Sequence, residues 1–175
     1  NELGDTRAAL LRRLFAAAPV TAFDAAQIHD HLDPGLAPSV VIINPPFSAA
    51  AHVDGRMADA ACRHIDSALA RLAEGGRLVA ISSASFSPEN PAWAGAFARL
   101  GERGRIAFTA AIAGRVFARH GTTTDTRLTV IDRLPAGEHS QPAASLGMAE
   151  DTAMLLEWVA RHVPPRPVLA KPPAT

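Results

Sequence analysis

The stretch SVVIINPPFSAA (residues 39–50) decides the reading of the fold. SVVIIN (39–44) forms a continuous β-branched run, the composition of a strand buried on both faces. The run then meets Asn44-Pro45-Pro46-Phe47. Two successive prolines lack N–H donors and fix φ, and Pro46 also restricts Pro45, so no sheet ladder continues through them. What remains is a rigid corner whose free polar groups are carbonyls and the Asn44 amide. Such a corner suits a ligand that donates hydrogens, such as an exocyclic amine. The Asn44 side-chain oxygen and the Pro45 carbonyl can accept both hydrogens of an NH2 group. Phe47 can stack on a planar base. The plainer alternative is a Pro-Pro turn that closes a strand.

Outward from this corner the periodicity alternates. Before it, Leu10, Leu11, Leu14 and Phe15 predict a helix over about 6–18, with Asp5 or Thr6 as N-cap and Pro19 as its stop. VTAFDA (20–25) reads as a short strand, and 27–38 as a loop with at most one turn. After the corner, Met57, Ala61, Ile65, Ala68, Leu69 and Leu72 repeat at helical spacing and Gly75-Gly76 closes that helix. Strands are expected over 77–86, 105–112 and 127–134, with a helix from Pro91 between the first two. A last amphipathic helix covers about 149–162 and carries Met154, Leu155, Trp158 and Val159. This order predicts an α/β domain over 1–163 with a mostly parallel sheet, helices on both faces and an antiparallel hairpin at one edge. Residues 164–175 are proline-rich and read as a linker or tail.

Composition bounds the function classes. The 175 residues suffice for one domain with a sizeable core. No apolar run reaches the roughly 18–20 residues of a membrane span, and no signal peptide is visible. The single cysteine, Cys62, excludes an internal disulfide and a Cys-rich zinc site. A reducing cytoplasm is the simplest setting. The net charge is zero, so no global field drives the chain onto nucleic acid. Sixteen of the seventeen basic residues are nevertheless Arg, which suits bidentate phosphate contacts, although coding bias explains the skew as simply. His29, Asp30, His31 and Asp33 cluster in IHDHLD without the usual ligand spacing, and no metal is expected. Ser82, Ser83 and Ser85 lack a nucleophile elbow.

The tetrapeptide and the strand order around it resemble the S-adenosylmethionine-dependent amino-methyltransferases. These carry Asn/Asp-Pro-Pro-aromatic after the fourth strand of a Rossmann-like class I sheet. The resemblance implies that Asn44 and Pro45 hold the target amine, with Pro46 fixing the turn and Phe47 packing on the target. It implies that Glu2 binds the cofactor ribose and that Asp24 meets the adenine. Gly75-Gly76-Arg77-Leu78 matches the family's entry to the next strand. The family's Gly-rich first loop has no counterpart in residues 1–175, and chain order places it before Asn1. A partial, N-terminally truncated sheet is therefore expected, which alone binds cofactor poorly and is inactive.

A narrower likeness lies in NPPFS…HVDGRMADAACRHIDSALARLAEGGRLVAIS with GRVFARHGTTTDTRLTVID. Together they resemble the methylase-like domain of bacterial strawberry-notch-type methylase/helicase proteins, over most of residues 1–134. That resemblance implies DNA as partner, a helicase region in the same polypeptide and adenine N6 as target. Arg115, Arg119 and His120 then become candidate nucleic-acid contacts. Protein-glutamine or rRNA guanine methylation, and a non-catalytic DNA- or helicase-positioning module, are the alternatives.

Overall fold

The computed structural model describes residues 1–46, 60–135, 138, 143 and 145–169. The chain opens with helix α1 (Asp5–Leu14), capped by Gly4 rather than by Asp5 or Thr6. Asp5 instead sits in the first turn, where its charge complements the helix dipole. The helix ends four residues earlier than the periodicity predicts, because Phe15 leaves helical φ/ψ and the pre-proline Ala18 disfavours the helical region.

VTAFDA is extended but forms no ladder. The Glu2 N–H donates to Thr21 O at 3.0 Å. The Asn1 side chain supplies the other links, to the Phe23 N–H, the Phe23 carbonyl and the Thr21 hydroxyl. A one-turn helix, α2 (Ile28–His31), follows.

Strand β1 (Val40–Ile43) leads into the Asn-Pro-Pro corner. Helix α3 (Ala60–Arg71) and strand β2 (Arg77–Ser83) follow. A 3-10 turn at Pro91–Trp93 runs into helix α4 (Ala94–Gly101). Then come strand β3 (Gly104–Ile112), a 3-10 segment at Gly114–His120 and strand β4 (Thr126–Arg133). Strand β5 (Met148–Ala149) and helix α5 (Thr152–His162) complete the elements. The sequence reading places residues 149–162 in one helix. In the fold Met148-Ala149 pair with β3, and the Asp151 carboxylate caps α5 by accepting from the Met154 N–H at 2.8 Å.

The five strands lie in the order β1-β2-β4-β3-β5. β1 pairs parallel with β2 and β3 with β5, while β4 is antiparallel to both β2 and β3. The sheet is thus mixed within the described residues, and β3 and β4 form the expected antiparallel pair toward one edge, with only the two residues of β5 beyond it. β4 is buried on both faces: Leu128 and Val130 join the layer under α5, and Ile131 joins the layer under α3 and α4.

The sheet is sandwiched. Ile65, Leu69, Leu72, Leu78, Leu100 and Ile131, each at most 1% exposed, form the α3/α4 side. Phe108 and Val130 pack against Leu155, Trp158 and Val159 of α5 on the other. A bulge at Ala107 shifts the register between Ile106 and Phe108. Residues 106 and 108 would otherwise share a face; the extra residue turns Phe108 toward α5. Cys62 is buried in the first layer.

At the amino end of β2 a buried charge is fully paired. Asp132, 0% exposed, accepts from Arg77 Nε at 2.7 Å, from the second Arg77 nitrogen at 2.9 Å and from Arg105 at 3.0 Å. Arg77 also donates to the Pro164 carbonyl at 3.0 Å. The chain after α5 is thereby held over this end. Gly75 has φ +75°, and a Cβ there would lie 2.3 Å from the Val168 carbonyl oxygen.

Candidate functional site

Parallel pairing sets the carboxyl ends of β1, β2 and β3 at one end of the sheet, together with the start of β4. Ligands of open α/β sheets bind beyond such an end. Asn44 is the first residue past β1 there, and it is exposed. Its side chain has no hydrogen-bond partner among the described residues, so its oxygen and amide remain free for a ligand. Pro45 is buried and Pro46 exposed, which seats the first ring in the protein and leaves the second at the surface. Phe47 lies outside the described residues.

Glu2 and Asp24 come from the same side as β1. One oxygen of Glu2 accepts from the Gly4 N–H at 2.7 Å and from Arg7 at 2.8 Å. These bonds, from Arg7 first, hold the carboxyl at about 2, so Glu2 is an anion throughout the working pH range. Asp24 caps the 3-10 turn Ala25–Gln27 by accepting from the Ala26 N–H at 2.9 Å. Its carboxylate also lies 3.9 Å from His64 Nε2. Burial depresses the His64 pKa, and the Asp24 charge opposes that shift.

A hollow of about 210 Å³ lies beside β1. Asn1, Ala25 and Ile43 all line it, and each is the chain neighbour of a predicted site residue: Glu2, Asp24 and Asn44. Three residues from separate segments therefore stand around one apolar depression beside β1. They lie 18 or more residues apart in the chain, so local pattern alone could not show this.

The loop after β2 forms the next wall. Ser83 and Ser85 hydroxyls lie 3.0 Å apart at the strand end. Phe86 anchors the loop in the core, against Trp93 edge-on at 5.0 Å and Phe97 at 4.7 Å. Asn90 donates to the Ser85 carbonyl at 2.8 Å. Arg127, 7% exposed, donates to the Ala84 carbonyl at 3.2 Å, to Thr109 at 3.1 Å and to Ser145 at 2.8 Å. Burial lowers its pKa and the neighbouring Glu89 charge raises it. Burial also raises the Glu89 pKa, but hydrogen bonds from the Ser87 hydroxyl and the Ser145 N–H more than reverse this. Arg127 was not singled out from sequence. Its signal, an Arg at the start of RLTVIDR, resembles that of a surface residue.

Arg115, Arg119 and His120 lie in the 3-10 segment after β3, at the same sheet end. Two strands separate β3 from β1, a distance of roughly 14 Å at about 4.8 Å per strand. Arg115 is paired with Glu150, at 2.6 Å to the carboxylate and 2.9 Å to the carbonyl. Arg119 and His120 are exposed. In IHDHLD, His29 binds the Ser67 hydroxyl at 2.7 Å and His31 stacks on Phe23 at 4.7 Å. No group of three or more potential metal ligands occurs among the described residues, nor does any helix there have the length and apolarity to cross a membrane.

No protein-family model and no curated protein matches the chain. Solved structures do. A protein assigned to the class I S-adenosylmethionine-dependent methyltransferases of Listeria monocytogenes superimposes with a TM-score of 0.52 at 12% identity, over 74% of this chain and 43% of its own. The chain has the class I methyltransferase fold. A protein assigned as the modification subunit of a type I restriction enzyme of Vibrio vulnificus superimposes with a TM-score of 0.62 at 13% identity, over 93% of this chain and 40% of its own. The chain thus spans less than half the length of either methyltransferase-fold neighbour.

Proposed function

We propose that the chain is the target-binding part of an S-adenosylmethionine-dependent N-methyltransferase domain that acts on an exocyclic amine of a nucleic-acid base, adenine N6 of DNA in first place. The observation that carries this reading is the uncommitted Asn44 amide, held on a proline corner at the carboxyl end of a strand in a class I methyltransferase sheet. The modification-subunit neighbour supports DNA as the substrate class. The narrower likeness to methylase/helicase proteins adds a helicase region of the same polypeptide as partner.

The donor set fits the cofactor. Its ribose hydroxyls and adenine amine donate, and Glu2 and Asp24 offer carboxylates, each with one oxygen left over from its own backbone bond. Glu2 would hold the ribose and Asp24 the adenine edge. The cofactor, when bound, supplies an electrophilic methyl group.

The protein's own work is positioning and electrostatics. The Asn44 oxygen and the Pro45 carbonyl accept the two amine hydrogens and thereby turn the nitrogen lone pair outward. No N–H exists at Pro45 or Pro46 to compete for that lone pair. Phe47 would stack on the base. A base in duplex DNA must first leave the stack, at a cost of a few kcal/mol. Arg119 and His120, without a hydrogen-bond or ion-pair partner among the described residues, would meet flanking phosphate, while Arg115 would have to release Glu150 first.

Incubation of DNA with the complete gene product and labelled S-adenosylmethionine, followed by nucleoside mass spectrometry, tests the assignment. N6-methyladenine is the expected product. A labelled guanine or protein glutamine would move the target. Absence of both product and cofactor binding would leave a non-catalytic positioning module.

A further inference from the structure

The loop after β2 stands over the Asn44 corner, and a buried arginine fixes it there. Ile43, the last residue of β1, pairs with Ala80, so β2 runs three residues further, to Ser83. At about 3.3 Å per residue, that strand end rises roughly 10 Å beyond the last β1 pair, about 4.8 Å to one side of it. The loop that follows therefore walls the space in which the proline corner would hold a planar ligand. The Ser83 and Ser85 hydroxyls meet in this wall at 3.0 Å, and Phe86, 1% exposed, pins it to the core.

Ala84 lies between the two serines, and the start of β4 takes both of its backbone groups. Its N–H donates to the Asp125 carbonyl at 3.3 Å, and its carbonyl accepts from Arg127 Nε at 3.2 Å. Arg127 lies directly across from Ser82 in the ladder. Its Nη1 donates to the Thr109 hydroxyl of β3 at 3.1 Å and to Ser145 Oγ at 2.8 Å. Ser145 in turn donates its N–H to Glu89, further along the same loop, at 2.9 Å. One guanidinium thus joins the near part of the loop to β3 and to the segment before β5, and reaches the far part through Ser145.

Stability alone gives little reason for a charge at this point. Arg127 is 7% exposed, and no carboxylate makes an ion pair with it among the described residues. The Glu89 oxygens are engaged by the Ser145 N–H and the Ser87 hydroxyl instead. Burial of a charge without a direct partner carries a desolvation cost that a well-packed apolar side chain avoids. What an apolar residue lacks is the planar fork, whose donors hold several acceptors in a fixed geometry.

We propose that Arg127 is a positioning residue of the target site, a role that rests on the methyl-transfer reading: it holds the loop after β2 in place as the wall against the ring of the amine-bearing substrate. It acts through Ala84, which carries the Ser83/Ser85 pair, and through Ser145, which holds Glu89. Loss of the fork leaves the proline corner intact and lets the wall drift. The amine is then still bound but less often aligned, so kcat falls while cofactor affinity stays.

Arg127→Lys, which keeps the charge and loses the fork, is made in the complete gene product, with Ser145→Ala as the second variant should the first fail to fold. Hydrogen exchange over residues 84–90 and steady-state methyl transfer to DNA are measured well below each variant's melting temperature. Exchange in the loop is expected to be at least about tenfold faster, as for a segment that opens locally. The expected fall in kcat is at least about tenfold, toward the roughly hundredfold that a 1 Å misplacement costs, with the KM for S-adenosylmethionine unchanged. Unchanged loop exchange, or an unchanged kcat, overturns the proposal. A raised cofactor KM with kcat intact assigns Arg127 to the cofactor side, and a lowered melting temperature with kcat intact assigns it to the fold alone; both overturn it. A parent that transfers no methyl group removes the methyl-transfer reading and this role with it, whereas an active parent with unimpaired variants removes this role alone.

Discussion

Removing the Asp132 carboxylate should be the most damaging single change to the sheet. Asp132 is fully buried and accepts three hydrogen bonds from two arginines. Asp132→Ala leaves Arg77, with its side chain 16% exposed, as a charge without its partner. Breaking a buried pair from one side costs about 3–5 kcal/mol. The Arg105 contribution is smaller, because that side chain is 36% exposed and water screens it. A total near the middle of the range corresponds to a fall in melting temperature of roughly 8–16 °C, at about 2–4 °C per kcal/mol for a chain of this size. Arg77 would also lose its fixed orientation toward the Pro164 carbonyl, so amides after α5 should exchange faster. Thermal unfolding and hydrogen exchange measure both effects. The hub lies at the sheet end opposite Asn44, so ligand affinity per folded molecule should not change. A melting temperature within about 2 °C of the parent would refute the assignment of Asp132 as a fully desolvated, paired charge.

Other changes probe separate links. Leu69→Ala, at a fully buried position of the α3 layer, should cost about 2–5 kcal/mol in denaturant unfolding. Gly75→Ala should lower the melting temperature and expose the 163–169 segment to proteolysis, because its Cβ meets the Val168 carbonyl at a positive φ. Since burial holds the His64 pKa below 6.5, the unfolded chain takes up a proton first as pH falls. Stability from this residue is therefore complete above about pH 6.5 and declines below it; His64→Asn should flatten the melting-temperature profile between about pH 7 and 5. Glu89→Ala should loosen the loop after β2, seen as faster exchange of the Ser145 amide, because the carboxylate that accepts from it would be lost.

Much of this architecture was legible from local pattern. Leu69 and Leu72 repeat at helical spacing and both are core; Val40–Ile43 are a strand that the prolines end. What failed were features decided by distant partners. Met148-Ala149 become a strand only because β3 offers an edge, and nothing in two residues announces that. VTAFDA forms no strand, because residues 1–2 give it a single backbone bond, too few for a ladder, and its last residue opens a 3-10 turn. The position of Asn44 just past β1 was readable because proline chemistry is local. Arg127 was not, since its role depends on Ala84, Thr109 and Ser145, which only the fold assembles.

The central claim is that the Asn44 corner holds the amine that receives the methyl group. Transfer of tritiated methyl from S-adenosylmethionine to DNA by the complete gene product, with and without Asn44→Ala, tests it most directly. The account predicts loss of transfer by at least about a hundredfold, as for removal of one preorganised transition-state contact, with cofactor affinity unchanged. Parent-level transfer by the variant would contradict it.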